Sequence, residues 1–359
     1  MNDELASAPP PLITHHSSLI TFCIPVMAGI GNALMAQPMV RQLGAAFPEA
    51  SIHVVSRLRP MLDVFDGLPR VAGLHQVSIK PKAWPATLRT FRAIGADVCV
   101  VPYPSNRWQY PLMARAARAK TIVTHRYPVG RFTALGFLGG VKVDPDPAAH
   151  DVANNNALLR PLGIEPDDTI APRWDVTDEQ DAAGARLLGD LADARPTIVH
   201  AGCGDTVLAR AKRWPPAKFA KLIEALDGPV VLFEGPDEAG VADEILTHTD
   251  ARPAVVRVIG PLGDTAGLLR RCGRYVGTDS GIAHLAAAVD TPPVTLFGPA
   301  DPDRVAPFGH RHRVVQPRAG RFPHAPYPLA STKPHPGDPT AIQTIEVEDI
   351  LEKLKACPL

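Results

Sequence analysis

The stretch Tyr275-Val-Gly-Thr-Asp-Ser-Gly-Ile-Ala-His-Leu-Ala-Ala-Ala288 concentrates groups that can hold an anion. An apolar strand runs into Gly277, and a helix is expected to start near Gly281, with Asp279 or Ser280 placed to cap it. The first N–H groups of that helix, on Ser280, Gly281 and Ile282, have no partner within the helix, and the helix dipole favours negative charge beside them. Gly281 lets a ligand approach the backbone closely. His284 lies four residues past Ser280 on the same helical face, within reach of the same anion. An ordinary capped helix with a satisfied histidine has the same pattern, so a function here depends on other groups converging on it.

Three more stretches supply such groups. His200-Ala-Gly-Cys-Gly-Asp205 leads to Arg210-Ala-Lys-Arg-Trp-Pro215, a glycine-bearing loop followed by cations. Lys212 and Arg213 suit recognition of a diphosphate, although a solvated basic turn reads the same way. Phe233-Glu-Gly-Pro-Asp-Glu238 ends another strand. Glu238 either accepts hydrogen bonds from ribose hydroxyls or serves only the start of a helix, where a carboxylate is favourable in any case. Gly29-Ile-Gly-Asn-Ala-Leu34 follows the first strand and approaches a dinucleotide fingerprint. Leu34 stands where the third glycine is needed and no acidic residue follows at the next strand end, so a nicotinamide site is rejected. Gly29, Gly31 and Asn32 are still expected at the mouth of that strand.

The elements that must position these groups alternate. Apolar runs at 19–26, 51–56, 76–79, 97–103 and 120–124 read as strands, with helices at 32–46, 60–68, 85–94 and 108–118 between them. Residues 126–148 show no period. Helices are expected at 150–162 and 175–191, the second opened by Thr177 with Gln180 three residues on, a capping-box pattern. Alternation resumes with strands at 197–201, 229–234, 254–259, 274–277 and 293–297. Helices are expected at 216–226, 237–247, 264–271, 281–289 and finally 347–356. Alternation of this kind predicts mostly parallel sheets covered by helices, in two units with a cleft beyond the strands' carboxyl ends. The expected divisions are a disordered tail at 1–17, a first Rossmann-like domain at 18–143, a connection at 144–196, a second Rossmann-like domain at 197–345, and a closing helix and tail at 346–359.

Composition narrows the function. The 359 residues carry 37 Lys+Arg against 37 Asp+Glu, without the basic excess that nucleic-acid binding needs. No apolar run reaches the ~20 residues of a membrane span, and Asp3 and Glu4 stand where a signal peptide carries positive charge. The five cysteines form no CxxC pair and suit buried thiols in a reducing compartment, so a cytoplasmic location and no metal site are expected.

Together the four stretches resemble glycosyltransferase family 9, the ADP-heptose:lipopolysaccharide heptosyltransferases, over residues from about 20 to 355. The resemblance is strongest in Thr-Asp-Ser-Gly-Ile-Ala-His-Leu-Ala-Ala-Ala and the following Val294-Thr-Leu-Phe-Gly-Pro299. The Lys-Arg-Trp-Pro run and the first-domain start with Phe47-Pro48 also match. It implies the GT-B architecture, two Rossmann-like domains facing a cleft. It implies a nucleotide-diphospho-sugar donor, ADP-linked by preference, held by the second domain: the diphosphate on Ser280, Gly281 and Lys212 with His284 nearby, Asp279 toward the sugar hydroxyls, Glu238 on the ribose. A cell-envelope glycan or lipid-linked acceptor would meet the first domain, at the inner face of the inner membrane. Transfer would invert the anomeric centre without metal or other cofactor. Well-characterised members carry an aspartate after the glycine of the first loop, the proposed base; here it is Asn32, which can orient an acceptor but takes no proton. Asp279 is the other candidate for that role. A nucleotide-sugar epimerase on the same architecture and a non-catalytic nucleotide-sugar binder remain as alternatives.

Overall fold

The computed structural model describes residues 19–127, 135–202, 207–317 and 340–357. The expected N-terminal tail, Cys203 and the 204–206 part of the glycine loop lie outside the described residues.

Two six-stranded sheets are built entirely of parallel pairs. The first has the order β3-β2-β1-β4-β5-β6, from β1 (Thr21–Pro25), β2 (Ser51–Ser56), β3 (Val71–Gln76), β4 (Val98–Val101), β5 (Thr121–His125) and β6 (Val141–Val143). The second has the order β12-β11-β10-β7-β8-β9, from β7 (Thr197–His200), β8 (Val230–Glu234), β9 (Ala254–Arg257), β10 (Arg274–Thr278), β11 (Pro293–Leu296) and β12 (Val314–Val315). Each sheet repeats one doubly wound order, with its switch of direction between β1 and β4 or between β7 and β10. β4, β7, β8 and β11 are buried at every position, which explains their unbroken Val/Ile/Leu-rich composition. This is the GT-B arrangement.

Three edge strands depart from expectation. The strand expected at 76–79 lies earlier, at Val71–Gln76, where Gly73 interrupts a run that is only partly buried. β6 falls in the stretch without a period, and β12 is two residues long. β3 and β6 are only partly buried, so their apolar signal is weaker, whereas β12 is buried but too short to show one.

The connecting residues divide between the two domains. The Asp151–Ala157 helix packs on the Ile30–Ala46 helix, where Asn155 Nδ2 donates to the Met35 carbonyl at 3.2 Å and Asn155 Oδ1 accepts from Tyr103 N at 2.8 Å. The Asp178–Leu188 helix belongs with the second domain. Thr177 and Gln180 form the expected capping box at its start, and Asp181 pairs with Arg271 at 2.6 Å. Between them, residues 163–177 run along the Ile30–Ala46 helix as a strap. Gln42 Oε1 accepts from Asp167 N at 2.7 Å and Gln37 Oε1 from Arg173 N at 2.8 Å, while Trp174 N donates to the Ala288 carbonyl at 2.8 Å. One apolar cluster runs from Phe22, Leu34 and Met39 in the first domain to Leu285, Leu268 and Ile198 in the second.

Candidate active site

The carboxyl ends of the strands at both switch points open onto one cleft. From the first domain come residues 28–32 after β1, and Tyr103 and Pro104 after β4. From the second come Ala209 and Lys212 after β7, and residues 279–281 after β10. The cavity between them is about 300 Å³.

Two helix N-termini meet in its floor. The Ile30–Ala46 helix starts at Gly29 and the Gly281–Ala288 helix at Ser280, and neither has a side-chain cap. The side-chain cap expected from Asp279 or Ser280 is therefore not made. Ser280 Oγ instead lies 3.3 Å from Tyr275 Oη and 3.3 Å from His200 Nδ1, drawn back toward the sheet. This leaves the backbone N–H groups at the helix start without side-chain competition. The helices touch through glycine. A Cβ at Gly281 would stand 2.8 Å from Ile30 Cβ, and one at Gly31 would stand 2.9 Å from His284 Cδ2. Two positive dipole ends thus converge where an anion can sit.

Lys212 Nζ and Asp279 Oδ2 form an ion pair of 2.6 Å at this floor, with the side chains 19% and 6% exposed. Charge rather than an aligned hydrogen bond holds it, since Oδ2 has no hydrogen-bond partner of good geometry. The loop carrying Lys212 is anchored by the next residue but one: Trp214 is buried, its Nε1 donates to the Ile345 carbonyl at 3.0 Å, and its ring meets Phe219 edge-on at 4.9 Å. His284 also lines the cleft. Burial lowers its pKa to about 4; the nearby Lys212 and His150 act in the same direction and Asp279 only partly opposes them. At neutral pH it offers a hydrogen bond and no charge.

Residues 106–325 match the family model described as glycosyltransferase family 9 (heptosyltransferase). The chain belongs to glycosyltransferase family 9. It is 27% identical over 308 residues to lipopolysaccharide heptosyltransferase 2 of Salmonella typhimurium, covering 80% of this chain and 85% of that one. Among solved structures, the family 9 glycosyl transferase of Veillonella parvula overlays with a TM-score of 0.74 at 18% identity, covering 94% of this chain and 96% of that one. The ADP-heptose lipopolysaccharide heptosyltransferase II of Escherichia coli gives 0.71 at 23% identity, covering 94% and 98%.

Within this family 9 glycosyltransferase, Gly29, Gly31, Asn32, Lys212, Asp279, Ser280, Gly281 and His284 come together around the cleft. Arg213 and Glu238 are not part of its lining. Glu238 Oε2 instead accepts from His200 Nε2 at 2.8 Å and from Gly235 N at 3.2 Å, beside Gly202. Asn32 sits in the first turn of its helix, which begins two residues earlier than expected. Sequence reasoning did not single out Arg57, Tyr103, Asp151, Asp301 or Arg304, all of which line the cleft. Arg57 ties the loop after β1, its Nε and Nη2 donating to the carbonyls of Met27 and Ala28 at 3.0 and 3.1 Å. Arg304 Nη2 meets Asp151 Oδ1 at 2.6 Å, with both side chains buried, and its guanidinium lies 5.1 Å from the centre of the Tyr103 ring. Burial raises the Asp151 pKa to about 6 against the pull of Arg304. In sequence, Asp151 and Asp301 look like the acidic residues that favour any helix start, which hides their place in the cleft.

Proposed function

We propose that this glycosyltransferase moves a heptose from ADP-heptose to the lipopolysaccharide core, inverting the anomeric centre without a metal ion. The observation that carries this reading is the convergence of two helix N-termini without side-chain caps and Lys212 in one interdomain cleft. Relatives named as lipopolysaccharide heptosyltransferases align along most of the chain and supply the sugar and acceptor class, and the ADP-heptose donor is that named for the Escherichia coli structure. The diphosphate would draw the Lys212 ammonium from Asp279 and take the N–H groups at Ser280 and Gly281. As the sugar–phosphate bond breaks, these donors stabilise the charge on the leaving oxygen, which is the work a metal does in other sites. Asp279, released, would turn to the sugar hydroxyls, His284 would donate to a phosphate oxygen, and Arg213 would add positive potential behind Lys212. Glu238 would exchange its His200 contact for the ribose. The acceptor would enter from the first-domain side, where Asn32 orients its hydroxyl, on the cytoplasmic face of the inner membrane.

The test is a panel of ADP-, UDP-, GDP- and dTDP-sugars, scored for thermal stabilisation and for transfer to a heptose-deficient lipopolysaccharide acceptor, with and without chelator. The expected result is stabilisation by ADP-linked sugars, chelator-resistant transfer and an inverted product anomer by NMR. Binding without transfer would favour a non-catalytic role; release of an epimerised free nucleotide sugar would favour an epimerase.

A further inference from the structure

Glycosyl transfer to a hydroxyl requires a group to take its proton. Asn32, an amide, cannot do so. Among the described residues three carboxylates line the cleft: Asp151, Asp279 and Asp301. Asp279 pairs with Lys212 on the second-domain side and, once a diphosphate takes that ammonium, is committed to the donor sugar's hydroxyls in the reading above. Asp301 accepts from Asp303 N at 3.0 Å, capping the Pro302–Val305 helix. Asp151 differs from both. It opens a helix that packs on the one bearing Asn32, so it reaches the cleft from the acceptor side. Its side chain is only 3% exposed, and the ion pair with Arg304 is made through Oδ1. Arg304 comes from the second domain, so this carboxylate is fixed in place when the two domains are together.

We propose that Asp151 is the general base of the transfer, taking the acceptor proton that Asn32 cannot. The inference rests on the glycosyl-transfer reading above. In the step, the acceptor O–H bond breaks and its proton passes to the Asp151 carboxylate. The acceptor oxygen bonds to the anomeric carbon, and the carbon–oxygen bond to the diphosphate breaks, its electron pair leaving with the nucleoside diphosphate. A carboxyl held near 6 by burial is largely ionised at pH 7, yet basic enough to accept the proton. The charged and titratable groups around it are Arg304, Tyr103, His150 and Asp301, with Arg57, Lys212, Asp279 and His284 elsewhere in the cleft. His284 titrates near 4, and burial lowers His150 below its ordinary value. A rising limb near pH 6 is the expected mark of Asp151, and its loss in Asp151→Asn separates it from the neighbouring His150.

The test compares full-length wild type, Asp151→Asn, Arg304→Gln and the double variant, measuring transfer from pH 5 to 9 and ADP affinity by calorimetry. Asp151→Asn is expected to lower kcat at least 100-fold, to abolish the limb near pH 6 and to leave the ADP Kd within threefold. Arg304→Gln keeps the base and loses its counter-charge, so it should retain more transfer than Asp151→Asn, with the limb moved to higher pH. The double variant buries an amide pair with no charge, and it should fold and be as inactive as Asp151→Asn. Asp151→Asn with more than a tenth of wild-type kcat would overturn the assignment. So would an Arg304→Gln loss as deep as that of Asp151→Asn with no shift of the limb, since the pair would then act only in holding the domains. Wild type that transfers from no nucleotide sugar would sink the transfer reading itself, and the base with it.

Discussion

Lys212 and Asp279 hold each other at 2.6 Å, so on the proposed reading a diphosphate would have to win the ammonium from a carboxylate already in place. What it gains is a charge-assisted hydrogen bond of roughly 1.5–3 kcal/mol. We predict that Lys212→Ala weakens ADP binding by about 10- to 150-fold in calorimetry; an unchanged Kd with the fold intact would remove Lys212 from the donor site. His284 makes a second prediction at this scale. Its pKa falls from an ordinary 6.5 in the unfolded chain to about 4 in the folded one, so stability present above pH 6.5 is lost as pH falls through 4. The full loss is about 3 kcal/mol, with about 2 kcal/mol gone by pH 5. His284→Gln removes that titration, and urea unfolding at pH 7 and 5 should show the variant losing about 2 kcal/mol less than wild type. Equal losses would refute it. Much at this scale was legible in sequence, because glycine, hydroxyl and cation stand together at strand ends in the residues around 280 and 212. Asp151 and Arg304 were not: they are 153 positions apart, and nothing local says that two charges will be buried against each other.

Between elements, the meeting of two helix starts depends on two missing side chains. We predict that Gly281→Ala, whose Cβ would lie 2.8 Å from Ile30 Cβ, forces the helices apart. Overpacking of this kind costs about 1–3 kcal/mol. kcat/KM should fall at least tenfold while far-UV circular dichroism is preserved, and Ile30→Gly added to it should restore part of the loss. No effect on turnover would mean that the spacing of the two N-termini is unimportant. The buried strands were legible because their side chains carry an apolar signal on both faces. β3, β6 and β12 were not, because pairing with a neighbour defines an edge strand more than its own residues do. The parting of the connection into a first-domain helix, a strap and a second-domain helix was also invisible, since which surface a polar helix chooses depends on partners far along the chain.

For the molecule as a whole, the strap and the shared apolar cluster tie the two domains together. Gln37 is buried and bonds the Val64 carbonyl at 2.9 Å and the strap's Arg173 N at 2.8 Å. We predict that Gln37→Leu, which leaves both groups without a partner, destabilises the protein by about 2–4 kcal/mol. Scanning calorimetry should show a lower Tm and a transition broadened toward two steps, as coupling between the domains weakens. A single sharp transition at the wild-type temperature would show that the strap carries no such coupling. The contact of Gly31 with His284, and of Gly281 with Ile30, is at once the floor of the cleft and a point where the domains touch. If the domains swing about that contact, it acts as an axle: what lies on it barely travels, while the outer rims sweep wide. A bulky lipid-borne acceptor could then come and go past moving rims while a seated nucleotide stays put. The chemistry would acquire an order of encounter, donor first and nucleotide last to leave, which product-inhibition patterns would read directly.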